Sequence, residues 1–259
     1  TLTAYKTRVG SNEPSSVSEL PVFVSLTGTN AGFLHLDPNT NCGLLGKAFN
    51  IYEIDEVHFD FDKDSRPNWY YYHIGVDIGA DETAKFNTWT GANSTSWNDP
   101  LNWSMGTVPN GIDRNVTIPA APLNQPIIAV GESFQARDIY IYSGATLINR
   151  GTLKIAGRLS ATVGGINNVN AGIVVGSIEM NGLCSNAQFI SGNMFVGNHV
   201  NNLSIVSEVT ISPTAGQGIN LWGTLNFGAG PDTLKTNGNL TLKSTVASTA
   251  SVAEILTGN

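Results

Sequence analysis

Charged residues are scarce in this chain of 259 residues. Asp, Glu, Lys and Arg make up 13% of it, about half of the ~25% that is typical of globular proteins. In their place stand 28 glycines and 28 asparagines, together with many serines and threonines. These residues weaken or compete with helix hydrogen bonding, and they suit short strands and tight turns. The composition therefore excludes a coiled coil, a helical bundle and a disordered charged tail.

Other features that the sequence lacks exclude further classes of function. No apolar run approaches the ~20 residues that span a bilayer, so we expect no membrane-spanning segment. The net charge of −7 repels phosphate backbones, which argues against nucleic acid as a partner. Cys42 and Cys184 are too few for a disulfide framework, and we expect two unpaired, buried thiols. The sequence also lacks the G-x-S-x-G, H-E-x-x-H, phosphate-loop and dinucleotide motifs. We therefore predict a protein that is not an enzyme.

The charge is unevenly distributed along the chain. Up to Asn87 there are 12 acidic residues against 6 basic ones, whereas the rest of the chain is nearly neutral. Composition shifts at the same place towards Thr, Asn, Gly and aliphatic residues. We predict two domains, residues 1–86 and residues 87–259.

The second segment contains a series of short alternating runs that nearly all end at Gly, Asn or Pro. Alternation of apolar and polar residues, with a turn signal every 6 to 15 residues, predicts an all-β fold. Leu147, Leu153 and Leu159 recur every six residues, which favours stacked coils over hairpins. A β-solenoid and a β-sandwich remain the two alternatives for this segment. The predicted strands are 138–142, 146–148, 152–155, 158–161, 177–180, 203–205, 209–211, 224–227 and 239–242.

The first segment resembles the last coils of right-handed parallel β-helix proteins of the pectin-lyase-like kind. Such coils are common in large secreted surface proteins of Bacteroidetes-type bacteria. The matching residues are Phe23-Val24, Leu34-His35-Leu36, Pro38, Asp60, Asp62 and Asp77-Ile78-Gly79-Ala80-Asp81-Glu82. The resemblance implies that residues 1–86 form the C-terminal end of a β-helix whose upstream part is missing.

The following segment is similar to another unit of the same surface proteins. The residues that fit its pattern are Trp89, Trp97, Asn102, Trp103, Gly106, Pro109, Asp113, Val116, Ile118 and Pro119. The resemblance implies secretion or display on the bacterial cell surface, and it implies other domains of the same large polypeptide as partners. It does not imply one activity.

An acidic stretch is the candidate metal site. Asp60, Asp62 and Asp64 place three carboxylates at alternate positions, and Ca²⁺ takes six to eight oxygen ligands. Ca²⁺ is therefore the one cofactor that we consider. A solvated acidic loop, in which Asp62 or Asp64 pairs with Arg66, explains the same residues without a metal.

A tryptophan-rich stretch is the candidate carbohydrate site. Aromatic faces stack on sugar rings, so Trp89, Trp97 and Trp103 could bind extracellular glycans. Each indole can instead bury about 150–250 Å² and fasten a polar, loop-rich segment to the sheet. The match of their spacing to the pattern of the surface proteins that this segment resembles favours the structural role.

Together these observations predict a non-catalytic, secreted cell-surface protein that acts as a structural stalk or an adhesin segment. Two alternatives come from other classes of protein. One is a fragment of a β-helix polysaccharide lyase or hydrolase, and the other is a carbohydrate-binding module that uses Trp89, Trp97 and Trp103. Glycans and other surface proteins are the external partners that these functions imply.

Overall fold

We analysed a computed structural model of the chain. The structure describes residues 20–30, 32–37, 44, 59–60, 63, 85–182, 188–228, 230, 232–245 and 249–253. The chain divides into two compact units, Thr1–Lys85 and Phe86–Asn259. Among the described residues the regular structure is β-strand and short 3-10 helix, without an α-helix. The prediction of an all-β protein is confirmed.

The described part of the first unit contains a small paired segment. Phe23 bridges Leu36 in antiparallel fashion, and the Val24 N–H donates to the His35 carbonyl at 2.8 Å. Leu36 and Leu44 are buried, and Phe23 packs against them. Cys42, Asp62, Asp64 and the predicted closing stretch 77–82 lie outside the described residues, as does Cys184 of the second unit.

Among its described residues the second unit contains 21 short strands, of which the first begins at the unit boundary. They are β1 (Lys85–Thr88), β2 (Arg114–Ile118), β3 (Ile127–Ile128), β4 (Ser133–Ala136), β5 (Ile139–Ile141), β6 (Leu147–Asn149), β7 (Thr152–Ile155), β8 (Leu159–Ala161), β9 (Ile166–Asn167), β10 (Val169–Asn170), β11 (Ile173–Val174), β12 (Ser177–Met180), β13 (Gln188–Ile190), β14 (His199–Val200), β15 (Leu203–Ile205), β16 (Glu208–Ile211), β17 (Ile219–Leu221), β18 (Thr224–Phe227), β19 (Thr233–Lys235), β20 (Leu240–Leu242) and β21 (Ser251–Val252). Three 3-10 helices, Pro100–Asn102, Gly192–Met194 and Val196–Asn198, lie between them.

These strands form a parallel β-solenoid of about five turns. One face is a six-stranded sheet in the order β21-β18-β15-β12-β7-β4. A second face carries β1-β2-β5-β8 and then β13-β16-β19, and a third carries β3-β6-β9 and then β14-β17-β20. From β2 onwards the strands of these faces pair in parallel with their neighbours, whereas β10 and β11 form a small antiparallel hairpin. The sandwich alternative is therefore wrong, because its sheets would be built from antiparallel strands.

The interior is a stack of apolar columns. Successive members of the longest column are 19, 25, 25, 22 and 27 residues apart in the chain, which is the length of each turn. The column consists of Phe134, Leu153, Ile178, Leu203, Leu225 and Val252. All but Val252, on the outermost strand, are buried. Because side chains alternate along a strand, the residues next to each column member within its own strand face outward, and they are polar.

The six-residue leucine repeat has a simple explanation in this fold. Leu147, Leu153 and Leu159 lie on β6, β7 and β8, which are consecutive strands on the three different faces. All three are buried in the same core. The six-residue period is therefore the distance along the chain from one face to the next, whereas a whole turn of 19 to 27 residues is about three to four and a half times longer.

Candidate functional site

The three tryptophans of the candidate carbohydrate site form one buried cluster. Trp103 lies between the other two, with ring centroids 5.0 Å from Trp89 and 4.7 Å from Trp97, both edge to face. Trp97 also packs against Phe134, with ring centroids 6.0 Å apart. We call Trp89, Trp97 and Trp103 the tryptophan cap, because they cover the first turn of the solenoid.

Backbone and indole hydrogen bonds fasten the tryptophan cap. The Trp89 N–H donates to the Thr117 carbonyl of β2, and the Trp97 N–H donates to the Ile127 carbonyl of β3. The Trp103 Nε1–H donates to the Trp97 carbonyl at 2.8 Å. The cap thus continues the hydrogen bonding of the first turn and protects its strand edges.

Asn102 organises the loop around the cap. Its side chain is fully buried, and its Oδ1 accepts from the backbone N–H groups of Asn93 and Ser94 at 2.9 and 2.8 Å. Its Nδ2 donates to the Ser94 hydroxyl and the Ser96 carbonyl, both at 2.9 Å. The side-chain amide of Asn102 therefore supplies both an acceptor and a donor to the backbone of a loop that has no regular partner strand.

Asp99 begins the short 3-10 helix in the same loop. Its carboxylate accepts from the Asn93 amide, from the Leu101 N–H and from the Ser94 hydroxyl. These bonds, the one from Asn93 first, lower the pKa of Asp99 below its usual range. The residue is a structural carboxylate, because its acceptor positions are directed at its own loop.

Burial decides how the tryptophan cap is used. Trp89 and Trp97 are 0% exposed and Trp103 is 3% exposed. A sugar ring needs an open aromatic face, and this arrangement offers none. The buried rings of the cap are what we expect of tryptophans that fasten a loop-rich segment to the sheet.

The acidic stretch is only partly described. Asp60 is half-buried, and its carbonyl accepts from the Lys63 N–H. Asp62 and Asp64 lie outside the described residues. Within the described ranges, three His, Cys, Asp or Glu side chains do not come together as a group that could hold a metal ion. The Ca²⁺ site at Asp60, Asp62 and Asp64 stays a prediction.

A different group of polar and aromatic side chains lies on the outer surface of the third face. His199 of β14 is in register with Asn220 of β17, which is in register with Thr241 of β20. Trp222 and Lys243 follow the inward-facing Leu221 and Leu242, so they point outward as well. We call His199, Asn220, Trp222, Thr241 and Lys243 the outer patch.

The outer patch combines an aromatic ring with a cation. The His199 and Trp222 rings meet edge to face with centroids 5.5 Å apart. Burial, and then the Lys243 charge, lower the pKa of His199 below its ordinary value, so its imidazole is neutral at pH 7. Trp222, unlike the tryptophan cap, is only partly buried. Sequence reasoning missed this group, although the apolar alternation ending in Leu221 places Trp222 on the outside.

Tyr140 is the other strongly perturbed group. Its ring, on the outward position of β5, is only 8% exposed. Burial, and then the Asp138 charge, raise the pKa of Tyr140 well above its ordinary value of 10.0, against the opposing charges of Arg158 and Arg137. The phenol is therefore neutral over the physiological pH range.

Comparison with known proteins returned no match, whether to protein-family models, to curated proteins or to solved structures. The helices among the described residues are all too short to cross a membrane.

Proposed function

We propose that the chain is a non-catalytic structural segment, a stalk or adhesin spacer, of a secreted bacterial cell-surface protein. The observation that carries the proposal is the column from Phe134 to Leu225, which runs uninterrupted through five strands of one sheet. In a solenoid each turn contacts its neighbours, so length grows without a change in cross-section. That architecture suits a protein that holds other domains away from a surface.

The resemblance to Bacteroidetes-type surface proteins supports the same proposal. It adds a right-handed sense of winding, which parallel strand crossovers have in about 98% of cases. The resemblance also implies that residues 1–86 are the end of a β-helix and that other domains of the same polypeptide are its partners. The surface of Asn, Ser and Thr with few charges is compatible with an extracellular protein.

Force spectroscopy on the full chain, held by handles at both ends, tests the mechanical role. A stalk should resist pulling and then lengthen in steps that correspond to one turn or a few turns. Since a turn has 19 to 27 residues, each should add about 65–95 Å at ~3.5 Å per residue. Smooth extension at low force, without steps, would contradict a load-bearing role.

Two further measurements test location and the enzyme alternative. An antibody against the chain should label intact source cells or detect the protein in the medium. Exclusive recovery from lysed cells would contradict the surface location. The purified chain should release no reducing ends or unsaturated products from a panel of polysaccharides. Measurable release would instead support the lyase or hydrolase alternative.

A further inference from the structure

Together with Asn201, the five residues of the outer patch form a two-by-three array across three neighbouring strands. The Trp222 N–H donates to the Val200 carbonyl at 3.0 Å, and the Lys243 N–H donates to the Leu221 carbonyl at 2.7 Å. These bonds extend the ladder beyond the paired residues, so Trp222 stands between Asn201 and Lys243. At the spacings of a β-sheet the array measures about 10 Å by 7 Å, the scale of one or two pyranose rings.

Lys243 differs from two lysines on the other faces. Lys154 pairs with Glu179 at 3.3 Å, and Lys235 pairs with Glu208, each on a neighbouring strand. Within the described part of the chain Lys243 has no carboxylate partner, and it lies beside an aromatic ring. A half-buried, outward-pointing cation without a counter-charge, in a protein of net charge −7, is a place where a ligand can supply the carboxylate.

Two ring nitrogens of the outer patch also lack partners. The His199 Nδ1 and the Trp222 Nε1 are buried and make no hydrogen bond. Buried polar atoms are normally paired, so each unpaired nitrogen has a hydrogen bond to gain.

We propose that the outer patch binds a carboxylate-bearing sugar unit of a glycan. Trp222 supplies an apolar surface for the sugar ring, Lys243 pairs with the carboxylate, and Asn220 and Thr241 bond the hydroxyl groups. The proposal goes beyond the stalk function and does not depend on it, because a stalk without a ligand would have the same fold. The net charge of −7 repels acidic glycans at long range, so a single site should be weak, with Kd on the order of millimolar.

The test titrates the full chain with short oligosaccharides of galacturonate, glucuronate and mannuronate and with a sialylated trisaccharide. Calorimetry measures the binding of each. At least one should bind, and its methyl ester, which has the same ring without the charge, should bind about tenfold more weakly. Trp222→Ala and Lys243→Met should each weaken binding about tenfold. Lys235→Met is the matched control and should leave binding unchanged.

Several results would overturn the proposal. They are the absence of binding to all four acidic sugars, equal binding of acid and ester, and equal binding by wild type and Lys243→Met. A polyglutamate peptide that binds as tightly as the sugars would show that the patch recognises acidic chains in general. Circular dichroism of each variant ensures that a loss of binding is not a loss of folding, and Lys243→Met, at a half-buried outward position, provides the test if Trp222→Ala does not fold.

Discussion

The indole of Trp97 packs against the phenyl ring of Phe134, with ring centroids 6.0 Å apart. Phe134 is the first member of the longest apolar column in the solenoid. This contact joins the tryptophan cap directly to the core of the repeat. The cap therefore closes an end of the solenoid that would otherwise expose apolar side chains and unpaired strand edges.

Removal of one indole from the cap should destabilise the whole second unit. Trp103 contacts both other tryptophans, and truncation of a buried large residue costs about 3–5 kcal/mol. We expect Trp103→Ala to lower the free energy of unfolding, measured with urea, by that amount. Leu101→Ala is the control from the same loop, because Leu101 is 67% exposed. An unchanged melting temperature together with lost binding on a glycan array would favour the carbohydrate-binding module.

The buried amide of Asn102 should matter nearly as much as the indoles. Asn102→Ala leaves the N–H groups of Asn93 and Ser94 without their acceptor, at about 1–3 kcal/mol for each unsatisfied group that stays buried. We expect a lower midpoint in urea unfolding with an unchanged fold by circular dichroism. Asn98→Ala, at an exposed position of the same loop, should behave as wild type. Equal midpoints for the two variants would contradict this role.

His199 should make the stability depend on pH on the acid side. The pKa of His199 is lowered in the folded state, so the unfolded chain takes up a proton first as the pH falls below about 6.5. The stability present above that pH should therefore decrease until the folded-state pKa is passed. His199→Gln should reduce the difference between urea unfolding at about pH 7 and about pH 5.5. His35→Gln, in the other unit, is the control, and an equal pH dependence in all three proteins would contradict the prediction.

Tyr140 should act on the alkaline side. Because the pKa of Tyr140 is raised in the folded state, the unfolded chain ionises first above about pH 10. The contribution of Tyr140 to stability should be constant below that pH and should decrease as the pH rises through the folded-state pKa. Tyr140→Phe should remove this part of the alkaline loss, and unfolding followed by circular dichroism measures it. The same loss with and without the substitution would show that other groups cause it.

Calcium should stabilise the chain slightly if the acidic stretch binds it. With Ca²⁺ near or tenfold above its dissociation constant, the gain would be about 0.4–1.4 kcal/mol. We expect a small, EGTA-reversible rise in melting temperature that Asp62→Asn removes. Equal melting curves with chelator and with millimolar Ca²⁺ would favour the solvated loop at Asp60, Asp62 and Asp64.

Nine of the described strands were predictable because their signal is local. The predicted runs 152–155, 177–180, 203–205 and 224–227 coincide with β7, β12, β15 and β18. In each of them apolar and polar residues alternate, and the structure buries every apolar one except Phe227, which is partly buried. The other twelve described strands were not predicted. Some, such as β3, β9, β14 and the hairpin β10–β11, are too short to show alternation, whereas β4 and β17 do alternate and were still missed.

The choice between solenoid and sandwich was not local. Leu153 pairs in register with Phe134 on one side and Ile178 on the other, and neither pairing leaves a mark within its own strand. The six-residue leucine repeat favoured coils, but successive hairpins would bury the same leucines. Parallel stacking is decided by the packing of whole turns, because each turn buries its apolar edge only when another turn covers it.

The sequence by itself determined which residues face inward, where the chain turns and that the fold is all-β, since these depend on neighbours a few residues apart. Tertiary structure alone decided the fate of the tryptophans. Trp97 is buried because Phe134, far along the chain, lies against it, whereas Trp222 remains at the surface because Leu221 fills the interior beneath it. An indole can be buried in a protein core or can stack on a sugar ring. The packing around the indole determines which of these two roles it has.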